Sequence, residues 1–215
     1  MVKPEYLSKI GVEFHLPPSF KKIPLDYYLG NDVVSLAKSF IGKVIYTQID
    51  NVITGGIITE TEAYRGPDDR ASHAYGNRKT KRTKVMFNPG GLAYVYLCYG
   101  IHHMFNIVTG EEGVPHAVLV RGIFPVYGIG NILERRNNII KNLGEICAGP
   151  GTLTQGLNIN VSHTGISLLD DTIWLEDHNI PIHHKQITTG PRIGIDYAGD
   201  DANLPWRFLL TVKDT

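Results

Sequence analysis

Residues 43–64 read KVIYTQIDNVITGGIITETEAY. Two runs rich in Val, Ile, Thr and Tyr, at 43–49 and 52–63, flank Asp50-Asn51, and this pattern predicts a β-hairpin. Strict alternation along the second strand places Ile58, Glu60, Glu62 and Tyr64 on one face and Ile57, Thr59, Thr61 and Ala63 on the other. Two carboxylates therefore share a face with an aromatic ring. A solvated outer face is the ordinary fate of such a pair. The alternative is a general base beside a stacking platform, the arrangement that hydrolysis of a sugar-linked bond requires.

Outward from the hairpin, residues 31–41 space their apolar positions as one helical face, with Asn31 or Asp32 as the cap and Gly42 as the stop. A second hairpin is expected from 92–97 and 101–108 through Cys98-Tyr99-Gly100, followed by an apolar strand at 116–123. In it Tyr94 and Tyr96 face one way and Val95 and Leu97 the other. Residues 130–143 read as an amphipathic helix with Arg135, Arg136 and Lys141 on its polar side, and 150–157 as a short helix. Late strands are expected at 172–176 and 191–195. No repeat, low-complexity tract or linker divides the chain. The expected fold class is α+β: a single mixed domain with an antiparallel-rich curved sheet, flanking helices and a protruding β-hairpin. The predicted domain spans residues 26–215, preceded by an N-terminal arm over 1–25 that carries Pro4, Pro17, Pro18 and Pro24.

Composition limits the function classes. The 215 residues hold 21 Lys+Arg against 21 Asp+Glu, with 42% hydrophobic and 20% charged residues, as in an ordinary soluble globular protein. Zero net charge argues against a general polyanion binder. The window 65–84, however, carries Arg65, Arg70, Arg78, Lys79, Lys81, Arg82 and Lys84 against Asp68 and Asp69, a local excess of five positive charges. That is what a phosphate-contacting loop looks like, although a solvated loop looks the same. The two cysteines, Cys98 and Cys147, form no metal-type spacing and fit a reducing cytoplasm. No signal peptide or membrane span is expected. Adjacent strand histidines at His102-His103 and His183-His184 point to opposite faces, so no metal site is expected, and the absence of a GxGxxG or phosphate-loop motif leaves no cofactor implied.

Three further positions ask for an explanation. Tyr99 is a bulky ring at the tip of the second hairpin, either turn packing or a wedge between bases. Arg121 interrupts the apolar run AVLVRGI and needs a carboxylate partner. His73 follows the Glu62 strand closely enough to fold over the same pocket.

These residues lie in ordered motifs: ETEAYRGPDDRASHAYGNRKTKRTKVMF, PGGLAYVYLCYGIHHMFNIV, AVLVRG, CAGPGTLTQGLNI, PRIGIDYAG and PWRF. In them, nearly everything from about residue 26 onward resembles the alkyladenine (3-methyladenine) DNA glycosylases of the mammalian type. The resemblance implies a mixed α/β domain whose hairpin faces DNA. It implies Glu62 as general base, with Arg121 helping to hold the water, and Tyr64, His73 and Tyr96 as walls around a flipped base. Tyr99 would be the intercalating residue, and Asn106 the one that clashes with the amino group of normal guanine. Arg78, Lys79, Lys81, Arg82 and Lys84 are expected on the DNA backbone. The implied partner is double-stranded DNA bearing damaged purines, bound by a monomer. Without a lysine in the Glu62 strand or the tyrosine hairpin, a monofunctional enzyme that leaves an abasic site is expected. The rival readings are a non-catalytic nucleic-acid-binding module and a small-molecule nucleoside hydrolase using Glu60 with Glu62.

Overall fold

A computed structural model describes residues 15–137 and 142–211. Its centre is one sheet in which the hairpin of β1 (Val44–Ile49) and β2 (Val52–Arg65) is continued by β3 (Ala93–Cys98), β4 (His102–Thr109), β5 (His116–Tyr127) and β6 (Ile173–Glu176), in the order β3-β4-β5-β2-β1-β6. All pairings are antiparallel. Asp50 and Asn51 turn the first hairpin with φ of 54° and 60°. Both signs are positive, as a tight turn matching strand twist demands, and Asp and Asn tolerate that region.

The second edge of β2 changes partner along its length. Its first half pairs with β1, and Glu60, Thr61 and Glu62 pair with β8 (Arg207–Leu210), which in turn pairs with β7 (Ile187–Gly190). The handover coincides with register shifts against β5 between Ile58 and Thr61. A bulge bends the strand and breaks strict alternation, so Ile57 and Ile58 both enter the core. Past the bulge the period of two resumes. Ala63 faces the core, and the Thr61 hydroxyl donates to the Ala37 carbonyl at 2.7 Å.

That carbonyl belongs to α2 (Val33–Ser39), which follows the short turn α1 (Leu25–Tyr28). Asp32 caps α2 by accepting from the amides of Val34 and Ser35, both at 3.1 Å. Val33 and Ala37 are its buried face. The main core on this side holds Phe40, Tyr46, Phe124 and Trp174, all fully buried. A smaller cluster of Val85, Met86, Phe87 and Tyr94 supports the second hairpin. Residues 16–23 lie against the sheet: the Leu16 amide donates to Val126 and the Ile23 amide to Leu175.

Two expectations are corrected. The helix expected at 130–143 is α3 (Ile129–Arg135), ended by Asn137 at a φ of 55°, a left-handed residue of the kind that closes helices. A separate turn, α4 (Leu143–Ile146), follows, capped by the Asn142 side chain. Lys141 lies outside the described residues. Arg135 and Arg136 are tied down: they donate to the carbonyls of Gly156, in α5 (Pro150–Gly156), and of Ile146. The strand expected at 191–195 is an irregular loop between β7 and β8. Pro191 has no amide to donate to a ladder, Gly194 sits at a φ of 74°, and the Ile193 amide is taken by a carboxylate.

Candidate functional site

That carboxylate is Glu62. It stands past the bulge on β2, opposite Leu119 of β5 on one side and Arg207 of β8 on the other, and its side chain is fully buried. The solvated-face reading is therefore excluded. The Ile193 amide donates to Oε1 at 2.8 Å and the Tyr64 hydroxyl to Oε2 at 2.8 Å. The Arg121 guanidinium is 3.4 Å from Oε1. Burial raises the carboxyl above the usual carboxylate range and prevails over Arg121, the Ile193 amide and the Tyr64 hydroxyl, which all pull it down. The result is a basic carboxylate with a fixed orientation.

Arg121 finds the partner its apolar surroundings required, but mainly in Glu60. Its Nε donates to Glu60 Oε1 at 3.0 Å, and Arg207 reaches the same oxygen at 3.0 Å. Glu60, held between two guanidinium groups, is a neutralised anchor. This weakens the paired-carboxylate scheme of a nucleoside hydrolase, which needs a second carboxyl free to reach the substrate.

Arg121 and Ile193, the two groups that hold Glu62 Oε1, line a cavity of about 420 Å³, together with Tyr64, His73, Tyr96 and Asn106. That volume is in the range of small-molecule sites. The rings of His73 and Tyr96 meet edge to face, with centroids 4.6 Å apart. No base fits between rings in contact, so these two form one wall, while Tyr64 packs in a different cluster with Ala71, Ile195 and Ala198. His73 Nδ1 is 2.8 Å from the Tyr94 hydroxyl, and Arg82 reaches Nε2 at 2.9 Å. The same Arg82 nitrogen lies 3.3 Å from Nδ1, so the guanidinium covers both ring nitrogens. Burial, aided by Arg82 and Arg78, pushes the His73 imidazole down to about 4, and the ring is neutral near pH 7. Asn106 is buried on β4, with both amide hydrogens donated to the carbonyls of Tyr94 and Met104, which fixes its side chain.

The rim is apolar and exposed. Tyr99 is 90% exposed at the tip of the second hairpin, with a φ of 50°, next to Gly100 at 73°. Ile101 and Leu97 beside it, and Ile193 and Tyr197 on the loop between β7 and β8, are exposed as well. Exposed rings and aliphatic groups around a cavity mark a contact surface.

The basic loop divides. Arg78, Lys79, Lys81 and Lys84 face solvent. Arg82 is exposed too, but it also lays its guanidinium over the Tyr96 ring, 4.6 Å from the centroid, and its Nε donates to the Tyr94 hydroxyl at 3.2 Å, at the cavity's edge. Sequence reasoning missed Asp69, Arg192 and the Ile193 amide. Asp69 was counted among the loop charges, yet it is buried and paired with Arg192. Asp69 before Arg70, and Arg192 between Pro191 and Ile193, were the only signals, and neither says that the two meet. Among the described residues no group of three His, Cys, Asp or Glu side chains could hold a metal ion, and no helix is long and apolar enough to cross a membrane.

The methylpurine-DNA glycosylase family model matches residues 27–214. Over 191 residues the chain is 47% identical to a Chlamydia felis protein named "Putative 3-methyladenine DNA glycosylase", covering 89% of this chain and 97% of that one. Proteins of the same name from Chlamydia abortus and Bacillus cereus are each 44% identical, covering 89% and 86% of this chain and 100% and 93% of theirs.

Proposed function

The chain belongs to the methylpurine-DNA glycosylase family, and from that premise we propose that it turns alkylated or deaminated purines out of duplex DNA and hydrolyses their N-glycosidic bond. The class of activity, N-glycosyl bond hydrolysis in DNA repair, is that of the family. The substrates proposed are 3-methyladenine, 7-methylguanine and hypoxanthine. The observation that carries the mechanism is the Glu62 carboxylate, buried and held by the Ile193 amide, the Tyr64 hydroxyl and Arg121 behind a cavity walled by aromatic rings.

Extruding a nucleotide costs a few kcal/mol, least for a damaged or mispaired base, so selection begins before chemistry. Tyr99 enters the space the nucleotide leaves. The base stacks between Tyr64 on one side and His73 with Tyr96 on the other. Alkylation at N3 or N7 makes the purine cationic, which strengthens stacking on electron-rich rings and makes it a better leaving group; neutral hypoxanthine must gain a proton to leave. Glu62 takes a proton from water as its oxygen bonds to the anomeric carbon, and the base departs with the electrons of the C–N bond. Arg121 holds the water beside Glu62, and Asn106 rejects guanine by contact with its exocyclic amino group. The exposed Arg78, Lys79, Lys81 and Lys84 neutralise backbone phosphates, so binding weakens as salt rises. Among the described residues the cavity wall contains no lysine, in keeping with a monofunctional enzyme that leaves an abasic site. The protein acts as a monomer in the reducing cytoplasm, where Cys98 and Cys147 stay free.

The test is a duplex carrying one hypoxanthine or one alkylated purine, incubated with enzyme and then treated with alkali. Strand breaks above those given by Glu62→Gln are expected. Equal breakage by both proteins, or activity on free nucleosides alone, overturns the reading.

A further inference from the structure

Arg192 does not line the cavity, yet two of the groups that hold Glu62 depend on it. Its guanidinium grips Asp69 with two bonds, Nη1 to Oδ2 at 2.5 Å and Nη2 to Oδ1 at 2.8 Å, and both side chains are fully buried. Nη1 also donates to the carbonyl of Ala63 at 2.8 Å, and Nη2 to that of Asp201 at 3.2 Å. The guanidinium carbon is 4.8 Å from the Tyr64 ring centroid and 5.0 Å from that of Trp206. Asp69 is itself fixed by the amides of Ala71 and Arg65. One planar group thus ties together the end of β2, the start of the basic loop and both ends of the loop between β7 and β8.

The consequences meet at Glu62. The Tyr64 ring resting against Arg192 carries the hydroxyl bonded to Oε2. The residue after Arg192 supplies the amide bonded to Oε1. We infer that Arg192, clamped by Asp69, is a positioning residue for base excision: it fixes the Tyr64 ring and the Ile193 amide, and through them the orientation of the Glu62 carboxylate. This rests on the reading of Glu62 as the general base.

A purely structural role explains the arrangement less well. Buried ion pairs are often replaceable by apolar groups with no loss of stability. What an apolar group cannot supply is a flat fork whose edges bond a carboxylate and two carbonyls while it lies against two rings. Lysine keeps the charge but lacks the fork and the plane. The charged and titratable groups facing Glu62 are Arg121 from β5, Glu60 and Tyr64 from β2, Arg207 from β8 by way of Glu60, and Arg192 from the loop. Arg192→Lys leaves every one of those charges in place, so a change in the pH profile reports lost placement and not lost charge.

The experiment compares wild type, Arg192→Lys and Asp69→Asn in single-turnover excision of hypoxanthine across pH. It also measures affinity for a duplex with an uncleavable abasic-site analogue, and the folded fraction by thermal melting. Both variants are expected to bind the duplex as wild type does and to excise roughly ten- to a hundredfold more slowly per folded molecule, the scale of a misplaced catalytic group. The acid limb of the rate profile is expected to move to higher pH, because the two hydrogen bonds favouring ionised Glu62 loosen. An unmoved acid limb with a wild-type rate per folded molecule overturns the inference. So does loss of activity only in proportion to loss of folded protein, or failure of both variants to fold. A wild type that excises nothing overturns the proposed function instead.

Discussion

Glu62 and Glu176 are both fully buried carboxylates on strands of one sheet, and they are surrounded differently. Glu176, on β6, accepts from the Ser19 amide and hydroxyl, the Phe20 amide and the Trp174 indole, and is 2.8 Å from His178 Nε2. Burial there tends to raise the carboxyl, but the bonds from Trp174, Ser19 and Phe20 prevail and hold it below its ordinary value. Glu62 has two neutral donors and one guanidinium, and burial prevails. Burial alone therefore does not mark a reactive carboxylate. A saturated one fastens the residues around it, here residues 19 and 20 to the sheet, whereas a partly satisfied one beside a cavity keeps its appetite for a proton.

The sharpest break in that contrast is a pair of matched substitutions. Glu62→Gln is expected to slow excision by about 10²- to 10⁴-fold while shifting stability by no more than about 1 kcal/mol, since removing a buried charge offsets the weakened acceptor. Single-turnover rates and denaturant melts check both halves. Glu176→Gln is expected to do the reverse: a loss of roughly 3 kcal/mol of stability, with the excision rate per folded molecule unchanged.

The pH dependence separates the two sites by sign. Glu62, raised above 4.5 in the fold, costs stability as pH climbs from 4.5 through its folded value. Glu176, lowered below 4.5, contributes stability above 4.5 that is lost as pH falls through its folded value. His73 adds a third signature: with its imidazole pushed from 6.5 to about 4 by burial, Arg82 and Arg78, it costs the fold nothing above 6.5 and roughly 3 kcal/mol as pH falls from 6.5 to 4. Melting temperature against pH is expected to be flatter over that interval in His73→Gln than in wild type; parallel curves would contradict the neutral, buried ring.

The smallest effect lies on the rim. Tyr99→Ser removes a ring that is 90% exposed, so melting is expected to stay within experimental error while duplex affinity falls by about 1–3 kcal/mol, the worth of one stacked base. Unchanged affinity would remove Tyr99 from the contact surface.

Much of the site was legible because its signals are local. Asp50-Asn51 between two β-like runs fixes the hairpin that carries Glu62, and a tyrosine next to a glycine between strands fixes the exposed tip. Arg121 in an apolar run announced a carboxylate partner. Where reading failed, the reason was a contact between distant segments. Residues 191–195 have strand-like composition, but Pro191 and the capture of the Ile193 amide by Glu62, 131 positions away, keep them out of a ladder. In the basic loop Arg82 and Lys81 look alike, yet only Arg82 is laid over Tyr96.

Periodicity, turn chemistry and the order of the motifs come from neighbouring residues and short-range sterics. From these the chain alone determined an antiparallel domain with a carboxylate strand, an exposed tyrosine tip and a basic loop. The tertiary structure decided how each charge is surrounded. It neutralised Glu60 between Arg121 and Arg207, buried Asp69 against Arg192, and left Glu62 short of donors behind an aromatic wall. The physical reason is that a group's basicity depends on desolvation and on partners brought in from other segments, and both exist only once the chain has folded.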